Sequence, residues 1–414
     1  MNTTVKLLED EDIEGIIEDL KKWPNVAWGN EDERWSVSPF TTFYFLYDSS
    51  RWVEVSEHMI EIHKEFERLT GHPYVVATHP DSERPHPYGS KRLPDLNSFA
   101  RKSGKDDHFM FKVTSEKKSL WSPATAGYFR KKPAYMNDDE VRRNRVYSSI
   151  QLYYKWSWWK ENRTAWRSFV VDTIKKLQPE AVYSGLTMAT ALEFGARSST
   201  TIWERVLASR FFGLDIDDPW SMDSLGDGLR PPTWGFLLSD IWREKLNLTR
   251  EQVRDQLNDP QISVVDVSNG SWIEVGPEPS LFPVEDGVPR SLLLVNRLVK
   301  PIRDDNMDLV GFPQWDDDPN ERFNREDSRR WLSRFDEDSD WPTKELRCVM
   351  RQSNDMSSST AEEELRAKAG EPCPQRGRWQ SVDAFEQVRH YEAGHPLDNL
   401  GSSYGLTVWR YLGD

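Results

Sequence analysis

The feature that most constrains this chain is a segment order that occurs twice. A run of aromatic and β-branched residues, FTTFYFLYD (Phe40–Asp48), is followed by an apolar stripe of Met59, Ile62, Phe66 and Leu69, and then by YVVAT (Tyr74–Thr78). The order returns with VYSSIQLYYKWSWW (Val146–Trp159), a stripe of Trp166, Phe169, Val170, Ile174 and Leu177, and AVYSGLTMAT (Ala181–Thr190). Aromatic and β-branched runs suit a pleated, half-buried surface, whereas i, i+3, i+4 spacing suits one face of a helix. Two similar strand–helix–strand halves imply an α+β fold built on a largely antiparallel sheet.

Local signals set the expected boundaries. Ile13, Ile16, Ile17 and Leu20 predict an N-terminal helix that ends at Pro24. Ser56 is the expected N-cap of the next helix and Gly71 its stop; Asn162 is the expected cap of the third and Pro179 its end. The stretch from Pro80 to Ser103, rich in Pro, Ser, Arg and His, reads as a long loop. Further on, a helix around Ile202, Val206 and Leu207 should open with a Thr201/Glu204 capping box, a second helix should span Trp234–Leu246, and a third should open with Thr249 and Gln252. ISVVDV and SWIEVG (Ile262–Gly276) around Asn269-Gly270 predict a hairpin, and a helix over Ser291–Val299 should stop before Pro301.

The expected domain plan is an acidic helical segment over 1–35, a main domain over 36–315, an acidic linker over 316–340 and a small β-rich C-terminal module over 341–414. RWQSV, RHYEAG and LTVWRY would be short strands of that module. Between Asp304 and Asp340 the chain carries thirteen acidic residues against five arginines, either a charged linker or an acidic recognition surface.

Aromatics make up 12% of the 414 residues, too many for a disordered chain. The net charge of −15 opposes nucleic-acid binding, since no counterion release would drive it, but it favours encounter with a basic protein. The N-terminus MNTTVKLLEDEDIEG has no basic stretch followed by an apolar run, and no apolar run is long enough to span a bilayer, so the expected location is the cytoplasm. Two cysteines, Cys348 and Cys373, suggest neither a disulfide scaffold nor a zinc site.

No catalytic or metal-binding constellation stands out, and no cofactor is called for. There is no H-E-x-x-H, no P-loop and no G-x-G-x-x-G opening a βαβ unit. His58 and His63 are five apart, which does not suit joint chelation, and are expected on a helix surface; His72, His79 and His86 are expected to be solvated. Gly401-Ser402-Ser403-Tyr404-Gly405 matches a nucleophile elbow but has no histidine after it. Asp95, Glu116 and Lys118 fit the loose PD…E-x-K pattern of Mg²⁺-dependent nucleases, although Asp95 falls in a Pro-rich stretch and the net charge opposes a DNA substrate.

Five pieces in order carry a resemblance: YSSIQLYYKWSWWKEN (Tyr147–Asn162), LQPEAVYSGLTMA (Leu177–Ala189), ASRFFGLDIDDP (Ala208–Pro219), GLRPPTWGFLLSDIW (Gly228–Trp242) and WIEVGPEPSLFPVEDGVPRSLLLVNRLVKPIR (Trp272–Arg303). Together they resemble the type VI secretion immunity family (TsiV-like), named for protection against VRR-type nuclease effectors, over about residues 36–315. The chain departs from the family where a Gly pair is expected and Leu246-Asn247-Leu248 stands. The C-terminal end resembles a small module of other polymorphic-toxin immunity proteins. The resemblance implies a non-catalytic protein whose partner is a cognate toxin effector that cleaves DNA, with no nucleic-acid or membrane partner. Asp304, Asp305, Asp308, Asp316, Asp317 and Asp318, the densest acidic run, are the candidate partner-binding residues. Two other readings stay open: a metal-dependent nuclease, and a non-catalytic adaptor of the secretion machinery.

Overall fold

The computed structural model describes residues 12–24, 26–29, 33–82, 84–102, 109–118, 121–131, 137, 145–188, 198–218, 228–305, 310, 322–343, 346, 365–381, 387–400 and 407–413. Among these, twelve strands join one large sheet: β1 (Ala27–Gly29), β2 (Arg34–Phe45), β3 (Val76–Thr78), β4 (Pro85–Pro87), β5 (Phe109–Thr114), β6 (Ala126–Lys131), β7 (Ser148–Tyr153), β8 (Ala181–Met188), β9 (Leu214–Asp215), β10 (Gly235–Ser239), β11 (Ile262–Val267) and β12 (Gly270–Val275). The main order is β11-β12-β10-β8-β2-β7-β6-β5-β3-β4, with β1 on β2 and β9 on β8. Every pairing is antiparallel except β8 with β9. This is the mixed α+β architecture that the segment order implies.

Both strand–helix–strand units are present, linked by α2 (Trp52–Leu69) and α4 (Trp156–Leu177). Because adjacent strands alternate in direction, each helix connects two strands that run parallel. One strand, β2, lies between β7 and β8; three lie between β2 and β3. The twelve-residue β2 is therefore the centre of the sheet, paired over Phe40–Phe45 with β7 and over Val37–Tyr44 with β8. Its Pro39, which has no N–H to donate, lies just past the last pair with β7, Phe40 and Tyr153. Strand periodicity divides its side chains between the faces. Thr41 meets Tyr154, which packs on Phe66 of α2 and Trp166 of α4. Thr42 and Tyr44 point to the opposite face, at Asp217.

The other helices are α1 (Ile13–Lys22), α3 (Leu96–Lys102), α5 (Ser198–Ala208), α6 (Asp240–Lys245), α7 (Arg250–Gln256), α8 (Arg290–Val299) and α9 (Arg325–Leu332). The expected boundaries hold where a side chain caps the helix. Asp12 accepts from Gly15 N (2.9 Å), and Thr249 and Gln252 form the reciprocal box that opens α7. At the end of α4, Gln178 adopts a left-handed conformation (φ 47°) before Pro179.

Other boundaries differ from expectation because burial of large apolar groups outweighs local preference. Ser56 is not a cap: it lies inside α2 and its hydroxyl donates to the Trp52 carbonyl. Asn162 is not a cap either, but sits at a kink within α4 (φ −117°, ψ 20°). That helix starts at Trp156, so that Trp156, Trp159 and Trp166 fall on one buried face against Trp234 and Trp272. Thr201 and Glu204 are buried inside α5. The FLL run of the expected Trp234–Leu246 helix is the buried strand β10, followed only by the short α6. The expected Pro80–Ser103 loop contains β4 and α3. In the hairpin, Ser268 and Asn269 make the turn and Gly270 opens β12; a Cβ there would lie 2.4 Å from the Leu238 carbonyl oxygen.

The main core runs from Ile13 to Leu346 and takes in Phe323, Trp331, Leu332, Phe335 and Trp341. The described part of the acidic 316–340 stretch is thus packed on the main body. The C-terminal module forms its own sheet, β13 (Arg366–Lys368), β16 (Val408–Gly413), β14 (Gly377–Ser381) and β15 (Val388–Tyr391), over a separate core of Cys373, Trp379, Tyr391 and Trp409. Three of its strands are the expected ones. It meets the main body through Val408 and through an ion pair of Arg366 with Asp19 of α1.

Candidate functional site

Two clusters of charge stand out, one sealed in the core and one on the surface. The sealed cluster grows from the piece LDIDDP after α5. Asp217 is fully buried and accepts from Thr42 Oγ1 (2.7 Å), Gln151 Nε2 (2.9 Å), Tyr153 OH (3.0 Å) and Tyr44 OH (3.5 Å). Burial pushes its carboxyl above the usual range, against these bonds and the charge of Arg230. Arg230, itself buried, donates to Asp215 (2.6 Å) and to the Ile216 carbonyl (2.8 Å). Arg334 lies over Trp331, its Cζ 3.7 Å from the ring centroid, and 4.0 Å from Asp215. No substrate could reach these groups, so they act on the fold.

The surface cluster is built on one guanidinium. Arg303, just after α8, has a side chain only 1% exposed. Its Nη1 and Nη2 donate to the two carboxylate oxygens of Asp336 (2.8 Å each), and its Nε donates to Asp305 (2.5 Å). Asn296 of α8 donates to Asp336 (2.8 Å) and to the Phe335 carbonyl (3.0 Å), while Lys300 Nζ lies 3.0 Å from Asp336. Burial acts to raise the Asp336 carboxyl, but hydrogen bonds from Arg303, Asn296 and Lys300 outweigh it and hold the group well below the usual carboxylate range. This clamp fixes the turn after α9 against the end of α8.

Around the clamp stand Asp305, Glu326, Glu337, Asp338 and Asp340, with side chains 58–90% exposed. Arg297 pairs with Glu337, Lys300 with Asp338 (3.8 Å), and Arg330 with Glu326 (2.7 Å) and Asp340 (3.1 Å). Five exposed carboxylates stand on a rigid base among Arg297, Lys300, the half-buried Arg330 and the exposed Arg325 and Arg329 of α9, so this platform carries both signs. Its exposed carboxylates can pair with the cationic groups of a basic surface.

The expected site residues divide. Asp304 is 9% exposed, which leaves little of it open to a partner. Asp305 is exposed on the platform. Asp308, Asp316, Asp317 and Asp318 lie outside the described residues, as do Cys348 and the Gly401–Gly405 motif. The three residues of the nuclease pattern each have a local task. Asp95 caps α3 by accepting from Ser98 N (2.9 Å), Glu116 pairs with Lys155 (3.2 Å), and Lys118 lies over Trp121. No group of three His, Cys, Asp or Glu able to hold a metal ion occurs among the described residues. His63, expected on a helix surface, is instead 2% exposed in a cage of Tyr74, Tyr88, Phe111 and Phe129, and burial lowers its pKa to about 3. Sequence reasoning missed the Arg303–Asp336 clamp. Its one signal was a lone arginine between the Ile302 core position and an acidic run.

Comparison with known proteins bears on this site. The model of the family TsiV, described as type VI immunity for VRR-NUC, matches residues 72–335, a span that ends just before Asp336. No curated protein matches the chain in sequence. The structure is similar to the Pseudomonas aeruginosa T6SS protein PA0821, with a TM-score of 0.67 at 20% identity, over 86% of this chain and 100% of that one. At that identity the likeness speaks to the fold alone. Among the described residues, no helix is long and apolar enough to cross a membrane.

Proposed function

This chain belongs to the TsiV family, described as type VI immunity for VRR-NUC, and from that premise we propose that it binds a VRR-type nuclease effector in the cytoplasm and neutralises it by covering its active site. The family match carries the reading; the physical features agree with it. A nuclease must present a basic cleft to DNA, and the exposed carboxylates of Asp305, Glu326, Glu337, Asp338 and Asp340, in a chain of net charge −15, can pair with it. Asp316, Asp317 and Asp318 are proposed to supply further carboxylates to the contact. Holding the carboxylates on a clamp limits the ordering entropy lost on binding. Neutralisation in this reading is occlusion, without turnover by the chain itself.

The test is reconstitution. Purified chain is mixed with a VRR-type nuclease effector encoded beside it, and plasmid cleavage is followed. One equivalent of chain should abolish cleavage, and both proteins should elute as one complex. Cleavage that persists at tenfold excess of chain would overturn the proposal.

A further inference from the structure

The two outer strands of the large sheet differ in what they offer a neighbour. At one edge, β4 carries Pro85 and Pro87, neither of which has an N–H to donate, so that edge is closed to a further strand. At the other edge, β11 contains no proline. Val275 donates its N–H to Trp234 O, toward β10, so Val275 and its partner Ile262 form a pair without mutual hydrogen bonds. Antiparallel pairs alternate. The backbone groups of Val264 and Asp266 therefore face away from β12, and among the described residues no backbone bond is made by either on that side. Beside them Val265 is 40% exposed.

A cleft of about 430 Å³ opens at the N-terminal end of this edge, lined by Gln261, Gly276, Phe282 and Arg290 with Asp259 and Glu278. Their cations are loosely held: Arg290, 85% exposed, is 3.9 Å from Asp259, and Lys160 is 3.6 Å from Glu278. A strand laid on β11 would run one end toward this cleft, where a long cationic side chain could displace the loosely held Arg290 and Lys160 from Asp259 and Glu278.

We propose that an extended segment of the effector adds to the large sheet along β11 and places a Lys or Arg side chain between Asp259 and Glu278. The inference rests on the effector-binding reading above. Main-chain bonds would supply affinity and the cleft would supply selectivity. The edge lies apart from the Arg303 clamp in the chain, so the two surfaces can be separated by mutation.

The experiment measures binding of full-length chain to the catalytically inactivated effector. Val264→Pro removes an outward N–H while leaving the bonds of Val265 to β12. Affinity should fall by at least about tenfold, and Asp266→Pro should act alike if Val264→Pro folds poorly. Val265→Thr, which leaves the backbone edge intact, should change affinity by no more than about twofold. Asp259→Asn with Glu278→Gln should weaken binding and flatten its salt dependence. Wild-type affinity in both proline variants would overturn the inference while leaving effector binding intact. Absence of any wild-type complex would overturn both. Self-association of the chain that the proline variants abolish would make a second copy the occupant and overturn the effector assignment.

Discussion

Asp217 and Asp336 are both buried carboxylates, yet their surroundings push them in opposite directions. Asp217 sits among hydroxyls and an amide with Arg230 bonded elsewhere, and burial raises it. Asp336 receives both ends of one guanidinium, and that bond lowers it. The difference teaches where charge serves the fold and where it is available for binding. Around Asp217 every charge is consumed inside. Around Asp336 one buried ion pair fixes a turn, and the neighbouring carboxylates remain in water.

The largest effect is expected from breaking the sealed cluster. Arg230→Met would leave Asp215 with only the more distant Arg334 (4.0 Å) and should cost about 3–5 kcal/mol, read as a drop in the urea midpoint. A loss below about 1 kcal/mol would remove the claim that this cluster specifies the fold.

Asp336→Asn should cost less, about 1–3 kcal/mol at pH 7, because Arg303 keeps Asp305 and Asn296. The sign with pH follows from the depressed native value. Asp336 stabilises the fold above about pH 4. That contribution is lost as pH falls through the native value. Denaturation at several pH values should therefore show the gap between Asp336→Asn and wild type closing below about pH 4.

Lys131 gives the opposite sign. Burial pushes its amine down to about 6, and no carboxylate pairs with it among the described residues. The unfolded chain binds that proton more tightly, so Lys131 weakens the fold below the ordinary lysine range, increasingly until about pH 6. Lys131→Met should gain on the order of several kcal/mol at pH 7 relative to strong base, with a larger gain at pH 6.

The smallest effect on stability belongs to the platform. Glu326→Gln, Glu337→Gln, Asp338→Asn and Asp340→Asn together should shift each pair by no more than about 0.5 kcal/mol. Their effect should appear in association rate and its salt dependence. A large loss of stability, or unchanged association, would erase the contrast between the two clusters.

Much of the fold was legible because strand and helix periods are strong signals in β2, α2, α4 and the β11–β12 hairpin. What misled were the places where tryptophan burial decides the boundary. Trp156 and Trp159 read as strand residues by propensity but stack at helical spacing, and the FLL run after Trp234 fits a buried strand as well as a helix. The candidate site was half legible. An acidic run is visible in sequence, and Asp305 lies on the platform. Which acidic residues are exposed depends on long-range bonds such as Arg303 to Asp336, thirty-three positions apart. No local pattern reports that pairing, nor that Asp304 is buried while its neighbour Asp305 is exposed.

The most direct test of the whole account is a titration of nuclease activity. A fixed amount of a VRR-type effector encoded beside this chain receives increasing amounts of wild-type chain, and plasmid cleavage is measured, with chain alone as control. The account predicts that cleavage ends at one chain per effector and that the chain alone leaves DNA intact. Full nuclease activity at excess chain, or cleavage by the chain itself, would contradict it.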